Sequence, residues 1–362
     1  MNDELPKKMK AMVLYGVNDI RLTYDKPVPQ PGYGEVLVKV AACGLCGTDV
    51  KMITKGEAAM PGMPPFGEFT PGHEWTGTIA ALGEGVDEFS VGDRVAVQAH
   101  KGCGRCSSCL EGNYTACLNY GNMKKGHRTT GMTCDGGFAE YAVHHINAVY
   151  KLPDNVDLKE ATYATTMGCA LWAVDTSGGY IAGDSCLIMG PGPIGLSVVQ
   201  ACRALGAEKI VLAGTRKERL DIGKQVGATH TLNIHETENL LEDLLNITDG
   251  KGFERTFDCA GTEDSFDVCM RATMHGKNMT MVSFYKKAVP ADFNFAIRNG
   301  IQFHTVRGEG GNNCRRALSL LAQGKITAKP IMTHVFPMEK FDLAYDTFVN
   351  RKDGAMKVII VP

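Results

Sequence analysis

Nine consecutive residues, Cys43-Gly44-Leu45-Cys46-Gly47-Thr48-Asp49-Val50-Lys51, gather two thiols, a hydroxyl, a carboxylate and an amine. A Cys-x-x-Cys can serve as a redox pair, as half of a structural zinc knuckle, or as one catalytic ligand beside an idle neighbour. Further on, Pro71-Gly72-His73-Glu74 supplies an imidazole and a carboxylate just ahead of the apolar run WTGTIAAL. One sulfur, one nitrogen and one oxygen around a zinc leave a fourth position for water or an alcohol, the open arrangement of a catalytic metal site. A separate group, Cys103, Cys106, Cys109 and Cys117, has the spacing C-x2-C-x2-C-x7-C in a loop of Gly, Ser and Asn. Four thiolates fill a tetrahedral shell and leave nothing open, so this set predicts a structural zinc that staples a loop. Iron–sulfur clusters also use four cysteines, but the bacterial run closes with a C-x3-C-P step that Cys109 to Cys117 lacks.

The stretch SCLIMGPGPIG carries Gly190, Gly192 and Gly195 in the order G-x-G-x-x-G, between a strand-like run and an apolar helix. Gly190 permits a tight turn, Gly192 lets a pyrophosphate approach the backbone, and Gly195 lets helix and strand pack closely. Pro193 and Ile194 open the helix whose N-terminus faces the anion. The next strand, KIVLAG, ends in Gly214-Thr215-Arg216-Lys217, a small residue and cations where NAD-binding sheets carry an acid. Gly214 leaves room for a 2'-phosphate, Thr215 can donate to it and Arg216 offers a bidentate fork, with Lys217 following. The pattern favours NADP(H) over NAD(H).

These groups need two frameworks to position them. From 10 to 150, short apolar runs such as AMVLYG, EVLVKVAACG and DRVAVQAH alternate with Pro and Gly turns, which predicts a β-rich barrel or sandwich. From about 158, strands alternate with helical patterns in the rhythm of a doubly wound parallel sheet. The expected division is 1–157 for a catalytic zinc domain, 158–297 for a dinucleotide-binding domain, and 298–362 returning to the first. A chain of 362 residues with 44% apolar content can fill two cores. A net charge of −2 without long single-sign runs gives no nucleic-acid or membrane surface and leaves a small-molecule partner. The acidic N-terminal start does not read as an export signal, and thirteen cysteines, an odd number, argue for metal ligands and buried thiols in a cytoplasmic protein.

The order C-G-x-C-G-T-D, G-H-E, G-C-G-x-C-x-x-C with a fourth cysteine, then G-x-G-x-x-G, resembles the zinc-dependent medium-chain dehydrogenase/reductase family, which includes alcohol, sorbitol and threonine dehydrogenases. The likeness covers essentially the whole chain. It implies a GroES-like catalytic domain joined to a Rossmann coenzyme domain, two zincs per chain, and a homotetramer or homodimer. It places the catalytic sulfur on Cys46, with Cys43 a bystander, and the remaining ligands on His73 and Glu74. Thr48 becomes the hydroxyl that hands on the substrate proton, and Asp49 the carboxylate that orients the ligand histidine. Cys259 and Arg351 are expected at the cofactor.

Two positions depart from the family's habit. A further ligand is common about 24 residues before the glycine turn, where this chain has Thr166, with Cys169 three residues on; Cys46, His73, Glu74 and water are therefore expected. Lys51 stands where many members carry a relay histidine, and its amine suits an anion or hydroxyl anchor. The implied reaction is hydride transfer between NADP(H), or NAD(H), and a secondary alcohol or polyol and its ketone. The loop Asn122 to Arg128 holds cations that could suit an anionic or phosphorylated substrate. Simple short-chain alcohols or threonine are alternative substrates. A non-enzymatic zinc protein and a zinc-free quinone reductase on the same fold are the rival readings.

Overall fold

The computed structural model describes residues 5–362; the first four residues of the acidic N-terminal start lie outside them. Two compact units emerge. The first takes residues up to Thr165, Gly308–Ala322 and Met332–Pro362, and the second takes Thr166–Arg307 and Gln323–Ile331.

In the first unit, β1 (Lys8–Gly16) and β2 (Asp19–Pro27) form an antiparallel pair. Its main sheet is built on β3 (Glu35–Gly44), an almost uninterrupted apolar run that buries nearly every side chain. β4 (Glu74–Leu82) lies antiparallel along one edge of β3, followed outward by β5 (Arg94–Val97). A two-residue pair, β6 (His100–Lys101) and β7 (Arg128–Thr129), brackets the cysteine-rich loop. On its other edge β3 is shared: β8 (Tyr141–His145) pairs with its first half. β9 (Val149–Lys151) closes the far side against β5. Trp75, Phe69, Phe138 and Phe341 fill the core, with Phe138 edge-on to Phe341 at 5.3 Å.

The second unit is a six-stranded parallel sheet of β10 (Ser185–Met189), β11 (Lys209–Gly214), β12 (His230–Asn233), β13 (Phe253–Asp258), β14 (Thr273–Met281) and β15 (Gln302–Thr305). Their order, β12-β11-β10-β13-β14-β15, is the doubly wound 3-2-1-4-5-6 arrangement. Fully buried runs such as SCLIM suit a sheet covered on both faces.

The chain then returns to the first unit, where β16 (Met332–Pro337) and β17 (Lys357–Val361) pair in parallel and β17 joins β3 at Cys43 and Gly44.

The units divide at other points than the sequence suggested. Residues 158–165 stay with the first unit, because the Thr76 hydroxyl donates to the Leu158 carbonyl at 2.6 Å and the Thr165 hydroxyl to the Val97 carbonyl at 3.2 Å. IQFHTV, assigned above to the returning segment, belongs to the second unit as β15, in register with β14 from Asn278 opposite Gln302 to Met281 opposite Thr305. Within the second unit, Gln200 clasps Thr327 through both its carbonyl and its amide. Among the described residues no helix is long and apolar enough to cross a membrane.

Candidate active site

The strand β3 ends at Gly44, and two residues later the helix Gly47–Lys55 begins with Cys46 as its N-cap. Asp49, in the first turn, folds back so that its Oδ2 accepts the Cys46 backbone N–H at 2.9 Å. A carboxylate there satisfies an orphan donor and the helix dipole together. That return contact fixes Asp49 in a wholly buried position, where its other oxygen takes the Gly72 N–H at 3.3 Å. Gly72 precedes His73 and Glu74, the point where β4 begins, so one carboxylate ties both ligand-bearing segments. The ligand atoms of Cys46, His73 and Glu74 all lie within 4.8 Å of one another.

Asp49 Oδ1 is 3.3 Å from His73 Nδ1, but the alignment is poor enough that this buried nitrogen has no proper hydrogen-bond partner. At this distance a small ring rotation aligns the pair and leaves Nε2 to face a metal. Burial pulls the His73 pKa down, yet the Asp49 carboxylate and the Cys46 sulfur outweigh it and hold it well above the ordinary value. Carboxylates and a sulfur that draw positive charge into a buried pocket are what a divalent cation would satisfy, and the S, N, O donor set suits zinc. Thr48 Oγ1 is 3.8 Å from Cys46 Sγ and partly exposed. Lys51, exposed, lies one turn further along the helix. Cys43 is fully buried and burial raises its pKa far above the usual thiol range, which makes it packing rather than chemistry. Thr166 and Cys169 belong to the second unit, on the helix Tyr163–Thr176.

A residue the sequence reading overlooked completes this cluster. Lys357, 4% exposed, leads β17 and pairs its ammonium with the Glu74 carboxylate. Burial pulls its pKa down, but Glu74 and Cys46 more than compensate and hold it raised. The available signal was a lone lysine heading the apolar run KVIIV. Arg351, by contrast, is exposed at a left-handed turn with φ 54° after the helix Phe341–Val349.

The four cysteines of the loop also converge. Cys103 and Cys109 have sulfurs 3.9 Å apart, as do Cys106 and Cys117. A tetrahedron with Zn–S bonds of about 2.3 Å has edges of about 3.8 Å, so the set is already at metal-binding size. Asn119 donates to Cys103 Sγ at 3.2 Å, and the backbone N–H of Asn119 to Cys117 Sγ at 3.4 Å. Despite burial, the Asn119 amide and the Arg105 and Cys106 N–H groups bring the Cys103 thiol down to about 6. Burial pushes Cys109 up to about 12.

In the second unit, β10 runs into the glycine turn and the helix Pro193–Ala204, with Gly192 as its N-cap. A Cβ on Gly195 would stand 1.9 Å from the Gly190 carbonyl oxygen, while one on Gly192 would meet nothing. The turn is thus closed behind and open in front, where an anion would approach the helix N-terminus. Gly214 has a packing reason not visible in the sequence: a Cβ there would come within 2.1 Å of Pro191 Cδ. Thr215, Arg216 and Lys217 are exposed beyond it. Lys217 is engaged by Asp221 at 3.0 Å, whereas Arg216 has no ion pair among the described residues. Cys259 follows β13, its N–H donating to the Met189 carbonyl at 2.9 Å beside the turn.

In the loop thought to suit an anionic substrate, Lys124 and Lys125 are exposed, while its last two basic residues are held within the unit. Arg128 pairs with Glu35 at 2.7 Å, and His127 is buried with its Nδ1 accepting from the Gly121 N–H.

Known proteins resemble this chain along its whole length. The description "Alcohol dehydrogenase GroES-like domain" matches residues 32–154, and "Zinc-binding dehydrogenase" matches residues 193–323. The chain is 30% identical to sorbitol dehydrogenase of Bacillus subtilis, over 100% of this chain and 99% of that protein. It is 31% identical to L-threonine 3-dehydrogenase of Pyrococcus furiosus, over 98% of each. Among solved structures, a zinc-binding dehydrogenase from Sinorhizobium meliloti bound to NADP superposes with a TM-score of 0.87 at 27% identity, covering 99% of this chain and 100% of the other.

Proposed function

Since the chain belongs to the zinc-dependent medium-chain dehydrogenase/reductase family, and is thereby an oxidoreductase of alcohols or polyols, we propose that it interconverts a secondary alcohol or polyol and the matching ketone, using NADP(H) in preference to NAD(H). The observation that carries this reading is the convergence of Cys46, His73 and Glu74 within 4.8 Å, with Thr48 and Asp49 against them.

Cys46, His73 and Glu74 would hold the catalytic zinc, and Cys103, Cys106, Cys109 and Cys117 a second, structural one. When bound, zinc polarises the substrate oxygen and the nicotinamide exchanges a hydride with the adjoining carbon. Asp49, locked by the Cys46 and Gly72 N–H groups, keeps the His73 ring in its ligating orientation. Thr48 Oγ1 takes the alcohol's proton and releases its own toward solvent on its exposed side. Lys51, one turn on, offers its ammonium to a hydroxyl of the substrate or of the cofactor's ribose.

The glycine turn would carry the pyrophosphate and Arg216 the 2'-phosphate, with Gly192, Pro193, Ile194 and Thr215 lining the path. The NADP-bound relative lends support. A dimer or tetramer is supported by the outer edge of β15, unpaired among the described residues, and by Phe293 and Ile297, exposed on the preceding helix Phe293–Arg298. Thirteen cysteines, none in a disulfide, fit the reducing cytoplasm.

The test is turnover on a panel of simple alcohols, polyols and sugar phosphates with both cofactors. Thr48→Ala is expected to lower kcat by about 100-fold or more, the usual weight of a positioned proton donor and acceptor, and Thr48→Ser to retain most of it. Full turnover in Thr48→Ala would sink the proton route.

A further inference from the structure

The end of β13 contains a buried carboxylate that the reaction itself does not use. Asp258 is fully buried, and among the described residues it makes no ion pair. Its charge is met by neutral donors alone. Oδ1 accepts the backbone N–H groups of Ala260 and Gly261, both at 3.0 Å, and Oδ2 accepts the hydroxyl of Tyr285. Burying a carboxylate without a cation is costly unless each oxygen is hydrogen-bonded, so each donor here matters.

The loop held in this way backs the glycine turn. Gly190, at φ 102°, packs so close to Ala260 that a Cβ on it would fall 3.0 Å from the Ala260 backbone nitrogen. The Cys259 N–H donates to Met189, the residue before Gly190, and a Cβ on Gly195 would lie 3.5 Å from Cys259 Cβ. Residues 258–261 are therefore the rear wall against which Gly190 and Gly195 are set. Tyr285 reaches this wall from the loop after β14, its ring edge-on to Phe266 at 6.1 Å. Ser283 adds a hydrogen bond from its hydroxyl to the Cys259 carbonyl at 2.7 Å.

We infer that Asp258 and Tyr285 form a brace that positions the glycine turn for the dinucleotide, and so act as positioning residues that set cofactor affinity. The inference rests on the nicotinamide-binding reading above. It differs in kind from the role given to Arg216: the brace acts through the turn shared by both cofactors and takes no notice of the 2'-phosphate. Removing the Tyr285 hydroxyl leaves Oδ2 of a buried anion without its donor, and the wall must open to water or shift away from Gly190.

The experiment uses the full-length, zinc-loaded protein. Calorimetric titration with NADPH and with NADH, and steady-state kinetics on the best alcohol of the panel, are compared between wild type and Tyr285→Phe. The expected result is weaker binding of both cofactors by the same factor, about tenfold, with cofactor KM raised accordingly and kcat at saturating cofactor held within about twofold. Loss of folded protein alone would instead lower kcat and leave cofactor KM where it was. That pattern, or wild-type dissociation constants in the variant, or weakening confined to NADPH, would overturn the brace. Asp258→Ala supplies a second variant should Tyr285→Phe not fold: it removes the acceptor of the Ala260 and Gly261 N–H groups and of the Tyr285 hydroxyl together, and the same split is expected. Failure of the wild-type chain to bind either cofactor would overturn the cofactor reading itself, and with it the brace.

Discussion

Arg216 and Lys217 stand next to each other with equal formal charge, yet only one is free to act. Lys217 is neutralised by Asp221 one helical turn on, while Arg216, as the N-cap of the helix Lys217–Gln225, keeps its guanidinium unengaged among the described residues. A planar fork on a phosphate is a charge-assisted pair, so Arg216→Ala is expected to weaken NADPH by about tenfold or more and to leave NADH within about twofold, read by titration with each. Equal weakening of both would remove Arg216 from cofactor choice. The sequence already pointed to this position, because a cation where an acid is customary is a local signal. It pointed equally to Cys46, His73, Glu74 and the four loop cysteines, whose types and spacings are local too. Lys357 was not legible: a lysine heading an apolar run says nothing of its partner until the pairing of β17 with β3 brings it under Glu74.

At the scale of elements, the sharing of the β3 edge is decisive. β8 occupies it from Glu35 to Lys39, and β17 occupies it at Cys43 and Gly44, beside Cys46. The Leu45 N–H donates to the Val358 carbonyl at 2.8 Å, which seats Lys357 next to Glu74. Lys357→Met would leave Glu74 a buried anion lacking its cation, a loss of roughly 3 kcal/mol by comparison with other broken buried pairs. Zinc held by the same carboxylate would offset part of that loss. The variant is thus expected to lose more thermal stability after chelation than when zinc-loaded, and an equal loss in both states would show that Glu74 does not share its charge with a metal. The parallel strands were legible because βαβ periodicity is local. β15 was assigned to the wrong segment because four residues carry no periodicity of their own, and only the register with β14 claims them.

Across the whole molecule, His144 links stability to pH. It lies on β8, fully buried, with Nε2 donating to the Gln98 carbonyl at 2.9 Å and Nδ1 without a partner among the described residues. Burial, reinforced by His145 and Arg128 against the pull of the Gln98 carbonyl and Glu35, lowers its pKa from 6.5 to about 4. Between those values the unfolded chain takes up a proton that the folded chain refuses. Its contribution is therefore fully present above pH 6.5 and is lost as pH falls toward 4, by roughly 3 kcal/mol over the interval. His144→Gln keeps a donor for Gln98 and removes the titration, so denaturant midpoints at pH 7 and pH 5 should converge in the variant relative to wild type; identical pH sensitivity would refute the assignment. The pairing of β17 with β3 also sets an order of assembly during synthesis. The cysteine loop spans only Cys103 to Cys117 and depends on nothing later in sequence to bring its thiols together, whereas the charge balance around Glu74 waits for residue 357. A chain synthesised only as far as Cys117 already holds all four loop cysteines, whereas Glu74 stays without this ammonium until the last strand has emerged.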